Sequence, residues 1–160
     1  MALPKEEFAK QIRAYVGREI GPPEIGFDLV NEPMIRHWCE VMDDRNPVYT
    51  DPEAAKSSAH GGIVAPPTML QSWILLGYPM ADTSGGPRTD LQKFHALFDA
   101  QGYTGVVATN CDQNYDHYLR PGDRVNASTV VESISEEKAT ALGIGYFIET
   151  HTTFVDQDNE

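Results

Sequence analysis

The first half of the chain repeats apolar residues at helical spacing. An N-terminal amphipathic helix is predicted over residues 4–17, with an apolar face formed by Phe8, Ile12, Tyr15 and Val16. Asn31 is a predicted N-cap of a second helix, whose apolar face is formed by Met34, Ile35, Trp38, Val41 and Met42. This helix is expected to end within residues 43–47, because the residue before a proline is driven out of the helical region. Residues 51–55 then predict a short helix with Pro52 at its first position.

A helix that is apolar on nearly every side is predicted over residues 68–77. It follows residues 60–67, where a glycine pair and a proline pair combine permissive and rigid backbone. Its apolar residues are Met69, Leu70, Trp73, Ile74, Leu75 and Leu76. Such a helix is normally buried against several neighbours. One more amphipathic helix is predicted from the face Leu91, Phe94, Leu97 and Phe98.

After Gly102 the spacing of apolar residues changes to the alternation of strands. Long strands are predicted over residues 106–119, 125–134 and 142–154, and a short one over residues 25–30. Helices followed by an antiparallel meander predict an α+β domain in which the helix of residues 68–77 lies buried across the sheet. The chain stops in a hairpin-like turn, so we expect the sheet to lack its last strand and the natural chain to continue.

Length and charge narrow the class of function. A chain of 160 residues predicts one domain, residues 1–160. Its 12 basic and 24 acidic residues give a net charge of −12, which argues against a nucleic-acid partner because phosphate contacts need clustered Lys and Arg. A polyanionic ligand would need a local basic patch, for which the candidates are Arg88, Lys93, Arg120 and Arg124. No signal peptide or membrane-spanning stretch is recognisable, so we expect a cytoplasmic protein without a membrane partner.

The cysteines and histidines do not form a metal-binding pattern. Cys39 and Cys111 lie far apart without CxxC spacing, and we predict that both are reduced core residues. The histidines without ligand spacing are His37, His95, His117 and His151. We therefore expect no metal and no cofactor.

Three segments, in the expected order, resemble the MaoC-like enoyl-thioester hydratases. Asp44-Arg45-Asn46-Pro47-Val48-Tyr49-Thr50-Asp51-Pro52 resembles the family's Asp-x-Asn-Pro-aliphatic-His-x-Asp-Pro signature. Residues 63–70 resemble the segment that enters the family's buried helix, and residues 118–125 resemble its strand-turn-strand with a Gly-Asp turn. The resemblance implies a hot-dog fold, an antiparallel sheet wrapped around a central helix, and hydration of a 2-enoyl thioester.

Residues 31–35, 62–67, 105–111 and 140–143 resemble one subgroup, the larger subunit of actinobacterial heteromeric steroid side-chain enoyl-CoA hydratases. In this subgroup the MaoC-like domain usually precedes an OB-fold domain. The resemblance therefore implies a coenzyme A thioester as substrate and a second, smaller MaoC-like subunit that bears the catalytic Asp and His. It further implies a thiolase-like aldolase as a partner of a C-terminal OB-fold extension.

The catalytic pair that the resemblance implies is incomplete in this chain. Hydration needs one group to deprotonate water and another to protonate C2, while a backbone N–H holds the thioester oxygen. Asp44 stands at the acidic position, but Tyr49 replaces the histidine, and a phenol has an unperturbed pKa of about 10 instead of about 6.5. Ala65-Pro66 replaces the family's His-Gly pair, and proline has no N–H. We expect this chain to shape the substrate pocket while its partner supplies Asp and His.

Each predicted site residue also has a structural interpretation. Asp44 and Asn46 are ordinary turn builders before a proline, Tyr49 is an ordinary buried aromatic residue, and His60 is an ordinary turn residue. The predicted substrate-binding positions are Gly61, Gly62, Ile63, Val64, Ala65 and Trp73. The glycine pair is included because it permits close approach of a thioester, whereas a tryptophan at the spacing of Trp73 is more often a core residue than a ligand contact.

Two other functions stay open on the sequence. One is a self-sufficient homodimeric enoyl-CoA hydratase or (3R)-hydroxyacyl dehydratase that uses Asp44 with Tyr49 or His60. The other is a non-enzymatic module that binds acyl thioesters or assembles partner proteins.

Overall fold

The computed structural model describes residues 3–75, 77 and 89–158. Its α-helices are α1 (Lys5–Arg13), α2 (Glu32–Met42), α3 (Pro52–Ser57) and α4 (Asp90–Asp99), and two 3₁₀ helices span Pro47–Tyr49 and Pro67–Ile74. Its strands are β1 (Glu24–Ile25), β2 (Asn126–Ile134), β3 (Lys138–Thr140), β4 (Gly143–Gly145) and β5 (Ile148–Val155). Among the described helices, none is long and apolar enough to cross a membrane.

Two small sheets are formed. The first has the strand order β1-β2-β5, and its antiparallel β1–β2 pair sets Glu24 opposite Ala127 and Ile25 opposite Asn126. The second is the antiparallel β3–β4 hairpin, in which Lys138 lies opposite Gly145. The chain divides into two compact units, and β2 and β5 each contribute residues to both.

The first unit consists of Met1–Pro23, Gly77–Cys111 and Ser128–Thr153. Its core joins α1, α4 and β2 through buried apolar residues, which are Phe8, Ile12, Ile20, Phe94, Phe98 and Val131. The α4 helix was predicted by its apolar face and is confirmed. It begins with a capping box, in which the Thr89 hydroxyl accepts from the Gln92 N–H and the Gln92 side chain accepts from the Thr89 N–H.

The first helix is shorter than predicted, since it ends at Arg13 and not at residue 17. Val16 instead forms a parallel bridge with Val131, and the Gly17 N–H donates to the Val131 carbonyl at 2.8 Å. Gly17 has a φ of 76°, which turns the chain out of the helix. Pairing with β2 therefore replaces the last helical turn.

The second unit consists of Glu24–Leu76, Asp112–Ala127 and Phe154–Glu160. Its core residues are Val30, Ile35, Cys39, Ala65, Met69, Trp73 and Val125. The predicted cap of α2 is confirmed, because the Asn31 side chain accepts from the Met34 N–H at 2.9 Å. The predicted stop is confirmed as well, since Asp43 takes the left-handed conformation with a φ of 51°.

Three expectations about buried side chains are wrong. Val41 and Met42 are 84% and 58% exposed, because the buried row of α2 runs through Ile35 and Cys39. Cys39 is a buried free thiol as predicted, but Cys111 is exposed and not a core residue.

The predicted helix over residues 68–77 is a 3₁₀ helix over Pro67–Ile74. Its first turn closes through a hydrogen bond from the Met69 N–H to the Pro66 carbonyl, at 3.1 Å, which is the tight i→i+3 spacing. Met69 and Trp73 are buried as expected, but Leu75 lies beyond the helix and is 66% exposed. Leu76 and residues 78–88, including Arg88, lie outside the described residues.

The predicted strand over residues 106–119 is not formed. All residues of the stretch 104–118, called here the exposed segment, are exposed. None of its backbone groups hydrogen-bonds to another residue in the described parts of the chain. The expected strand 142–154 is also interrupted: Leu142 and Ile144 are exposed on the β3–β4 hairpin, whose turn uses Gly143 at a φ of 132°.

Candidate functional site

The loop after α2 carries Asp44 and Asn46, and both use their side chains to build turns. The Asp44 carboxylate accepts from the Asn46 N–H at 3.0 Å, and the Asn46 side chain accepts from the Val48 N–H at 3.3 Å. The Asp44 N–H itself donates to the Cys39 carbonyl at 2.9 Å. These are local side-chain to backbone contacts typical of Asx turns. The geometry therefore supports a structural role for both residues.

Tyr49 is half-buried and packs against the core of the second unit. Burial raises the pKa of its phenol above 10.0, and the nearby Tyr118, Asp44 and Cys39 raise it further, against a lowering hydrogen bond with Asn46. A phenol with a raised pKa stays protonated at neutral pH. It cannot take the proton of a water molecule as a histidine would.

A turn at residues 58–62 presents the glycine pair. The His60 N–H donates to the Ser58 hydroxyl at 3.1 Å, and Gly61 has a φ of 68°, a conformation that favours glycine. The His60 ring lies 4.4 Å from the Tyr118 ring, between centroids. The Arg120 guanidinium donates to the His60 carbonyl at 2.7 Å. Gly62 has an ordinary φ, and a Cβ atom there would lie 3.8 Å from Nη1 of Arg120.

The strip that follows the turn runs into the core. Val64 and Ala65 are 0% and 1% exposed, and the Ala65 N–H donates to the Leu119 carbonyl at 2.8 Å. Trp73 is 3% exposed, and its indole N–H has no hydrogen-bond partner among the described residues. The predicted site residues that share one apolar cluster are Tyr49, Ile63, Ala65 and Trp73. The cluster thus brings the histidine-replacing tyrosine together with three of the six predicted substrate contacts.

Sequence reasoning did not connect Arg120 and Tyr118 to this site. Both contact His60, from about sixty residues away along the chain. Two signals in the sequence pointed to Arg120: it stands in the turn of a segment with family resemblance, and it is one of the candidates for a local basic patch. Within the described part of the chain, no group of three or more His, Cys, Asp or Glu residues could hold a metal ion.

A family model described as "FAS1-like, dehydratase domain region" matches residues 14–160. Two curated relatives are similar over almost all of the chain. A probable enoyl-CoA hydratase alpha subunit of Thermomonospora curvata is 44% identical over 97% of this chain and 49% of its own length. The 3-oxo-4,17-pregnadiene-20-carboxyl-CoA hydratase alpha subunit of Mycobacterium tuberculosis is 42% identical over 97% of this chain and 48% of its own length. The chain thus spans about half the length of these relatives.

Solved structures confirm the predicted α+β hot-dog fold. The crystal structure of the ChsH1-ChsH2 complex from M. tuberculosis matches with 43% identity and a TM-score of 0.79, over 96% of this chain and 88% of the matched one. A MaoC-like dehydratase from Rhodospirillum rubrum matches with a TM-score of 0.56, over 88% of this chain and 83% of its own. The A. caviae (R)-hydratase involved in PHA biosynthesis matches with a TM-score of 0.57, over 89% of each chain. The latter two are 18% and 17% identical and show the fold alone.

Proposed function

Because the chain belongs to the FAS1-like dehydratase family of MaoC-like hot-dog proteins, we propose that it is a subunit of a heteromeric 2-enoyl-CoA hydratase. The proposed substrate is a coenzyme A thioester with a bulky, steroid side-chain acyl group. Support comes from the 42% identical relative, which is named for hydration of 3-oxo-4,17-pregnadiene-20-carboxyl-CoA. In this proposal the partner supplies the catalytic Asp and His, and this chain lines the pocket.

The reaction adds water across a carbon–carbon double bond. The hydroxyl joins C3, the proton joins C2, and the developing charge on the thioester oxygen needs a hydrogen-bond donor. One observation carries the assignment of the acid–base work to a partner: Tyr49 occupies the position of the histidine, and burial raises the pKa of its phenol. Asp44 and Asn46 are also engaged with backbone N–H groups of their own loop.

What this chain contributes is shape and an apolar surface. Tyr49, Ile63, Ala65 and Trp73 pack in one cluster, which suits contact with a large hydrophobic acyl group. Gly61 and Gly62 have no side chain that could keep the coenzyme A thioester substrate away from the turn. No cofactor is needed, because hydration is redox-neutral and proton transfer suffices.

The exposed segment supports a partner subunit. It is patterned as a strand, yet residues 104–118 are exposed and form no backbone hydrogen bond with described residues. A strand-like segment with free N–H and C=O groups is a template for pairing with another chain. The similar solved structure is likewise a complex of two proteins.

The test is turnover of crotonyl-CoA and of a steroid side-chain enoyl-CoA, measured with the chain alone and with the candidate partner. We expect no turnover from the chain alone, and turnover of the bulky substrate once the partner is added. Turnover by the pure chain would instead support the homodimeric hydratase. A stable complex that binds the thioester but does not hydrate it would support the non-enzymatic module.

A further inference from the structure

We propose that Arg120, together with the backbone N–H groups of Gly62 and Ile63, binds a phosphate group of coenzyme A. The identity of the ligand rests on the proposed function, whereas the anion-binding character of the site rests on its geometry. The site lies within the second unit, on the turn that carries the glycine pair.

The guanidinium of Arg120 is held along this turn. Its Nη2 donates to the His60 carbonyl at 2.7 Å, and its Nη1 lies 3.8 Å from the point where a side chain on Gly62 would begin. One nitrogen is thus anchored, and the other is directed over a residue without a side chain. The anchoring reduces the rotamer entropy that an arginine loses on binding an anion.

The Arg120 guanidinium is bound through a carbonyl, as that of Arg124 is, and not through a carboxylate. In the described part of the chain, the Lys and Arg residues paired with carboxylates are Lys5, Arg13, Arg45 and Lys93. Among the described residues, no carboxylate lies within ion-pair distance of the Arg120 side chain. Asp123 accepts from the backbone N–H of Arg120, at 2.6 Å, and not from its guanidinium. In a chain of net charge −12, such a cation is available to an anionic ligand.

The turn adds backbone donors to the guanidinium. The Gly61 N–H donates to the Ser58 carbonyl at 3.2 Å, and the Ala65 N–H donates to the Leu119 carbonyl at 2.8 Å. Between them, the N–H groups of Gly62 and Ile63 have no acceptor in the parts of the chain that the structure describes. Successive free N–H groups next to a left-handed residue form an anion-binding concavity, and arginine is the side chain that best matches phosphate oxygens.

The ligand is identified by its chemistry and by what the turn neighbours. In the proposed function a coenzyme A thioester approaches the same glycine pair, and its phosphates are joined to the thioester group by the pantetheine arm. A phosphate bound at this turn therefore places the thioester group further along the pocket. A free phosphate or a carboxylate would present similar oxygens, so the experiment must separate these sources from the coenzyme.

The deciding experiment compares substrates with and without phosphates on the assembled enzyme. We expect Arg120→Gln to raise KM for an enoyl-CoA about tenfold, the loss of one charge-assisted contact, and to leave KM for the matching enoyl-pantetheine unchanged. Arg36→Gln, which removes an equal charge from the exposed face of α2, should affect neither substrate.

A binding measurement separates this inference from the proposed reaction. Calorimetric titration does not depend on turnover. The unmodified chain and Arg120→Gln are each titrated with coenzyme A, with adenosine 3′,5′-bisphosphate and with inorganic phosphate. We expect the variant to bind coenzyme A about tenfold more weakly, even if the complex fails to hydrate any thioester. The proposal would be overturned if Arg120→Gln raised KM equally for the CoA and the pantetheine thioester, or if it left coenzyme A binding unchanged. It would also be overturned if inorganic phosphate bound as tightly as coenzyme A.

Discussion

Tyr49 determines what chemistry the loop after α2 can perform. Its phenol is half-buried, and burial together with the charges of Tyr118 and Asp44 raises its pKa. The phenol therefore remains neutral wherever an imidazole would exchange protons. A neutral phenol can still donate a hydrogen bond or pack against an acyl group, which are functions of a pocket wall.

We predict that Tyr49→Phe leaves kcat/KM of the assembled complex within about threefold of the unmodified enzyme. Removal of a true general acid or base would cost roughly 10²–10⁴-fold. Asp44→Asn is the matched variant, because Asn keeps the oxygen that accepts from the Asn46 N–H, and its rate effect should be equally small. A thousandfold loss for Tyr49→Phe with intact assembly would contradict the non-catalytic role and favour the homodimeric enzyme.

The two glycines of the pair should differ in their tolerance of a side chain. Gly61 has a φ of 68°, so Gly61→Ala should lower the free energy of unfolding by about 1 kcal/mol. Gly62→Ala should be nearly neutral, because its Cβ would meet only Nη1 of Arg120 at an ordinary 3.8 Å. Urea denaturation of the two variants tests this. Equal destabilisation would show that the turn is not held in the left-handed conformation.

At the residue scale, the sequence predicted contacts between near neighbours in the chain, but it did not predict contacts between distant residues. The cap at Asn31 was predicted from residue type, because a cap involves a neighbour three positions away. The loop residues Asp44 and Asn46 were likewise expected as turn builders. The contact of Arg120 with His60 spans sixty positions, and no local pattern reports such a partner.

Helix α1 is connected to the segment between β2 and β3 by charged side chains. Lys5 pairs with Glu137 and Arg13 pairs with Glu136. The Tyr103 hydroxyl also donates to Glu137. The hydrogen bond from Lys5, followed by that from Tyr103, lowers the pKa of the Glu137 carboxyl below 4.5.

This arrangement predicts acid sensitivity of the first unit. Because the folded-state pKa of Glu137 is below 4.5, its stabilising contribution is present above that pH and is lost as the pH falls through the folded value. Glu137→Gln should therefore reduce the decline in unfolding free energy below about pH 4.5. Glu136→Gln removes the same charge one position away without contact to Tyr103 and serves as the control. An identical acid profile for Glu137→Gln and the unmodified chain would contradict the role of Glu137.

Element type was predicted better than element length. The face of α4 and the start of α2 were predicted correctly, because periodicity and caps are encoded locally. The end of α1 was not, because Val16 pairs with Val131, which lies far away in the sequence. The apolar run 68–77 gave no periodicity that separates an α-helix from the observed 3₁₀ helix.

At the scale of the molecule, residues 104–118 form a long stretch that adds no buried residue to either core. Residues 104–118 are exposed, and Val106 and Val107 are 77% and 64% exposed. The sequence pattern predicted a strand here, and a strand needs a neighbour for its backbone groups. None of the described residues provides one, so the predicted strand is not formed among them.

The last prediction concerns the exposed segment in assembly. Its amides should exchange rapidly with deuterium in the isolated chain and become protected when the partner binds. Ala108→Pro and Thr109→Pro remove adjacent N–H groups that point to opposite sides of a strand, so at least one of them should weaken assembly by more than about tenfold. Neither should lower the melting temperature of the isolated chain, because the segment makes no backbone hydrogen bond with the described residues. Thr109→Ala keeps the backbone donor and should assemble normally. Unchanged exchange in the complex, or normal assembly of both proline variants, would exclude strand pairing through this segment.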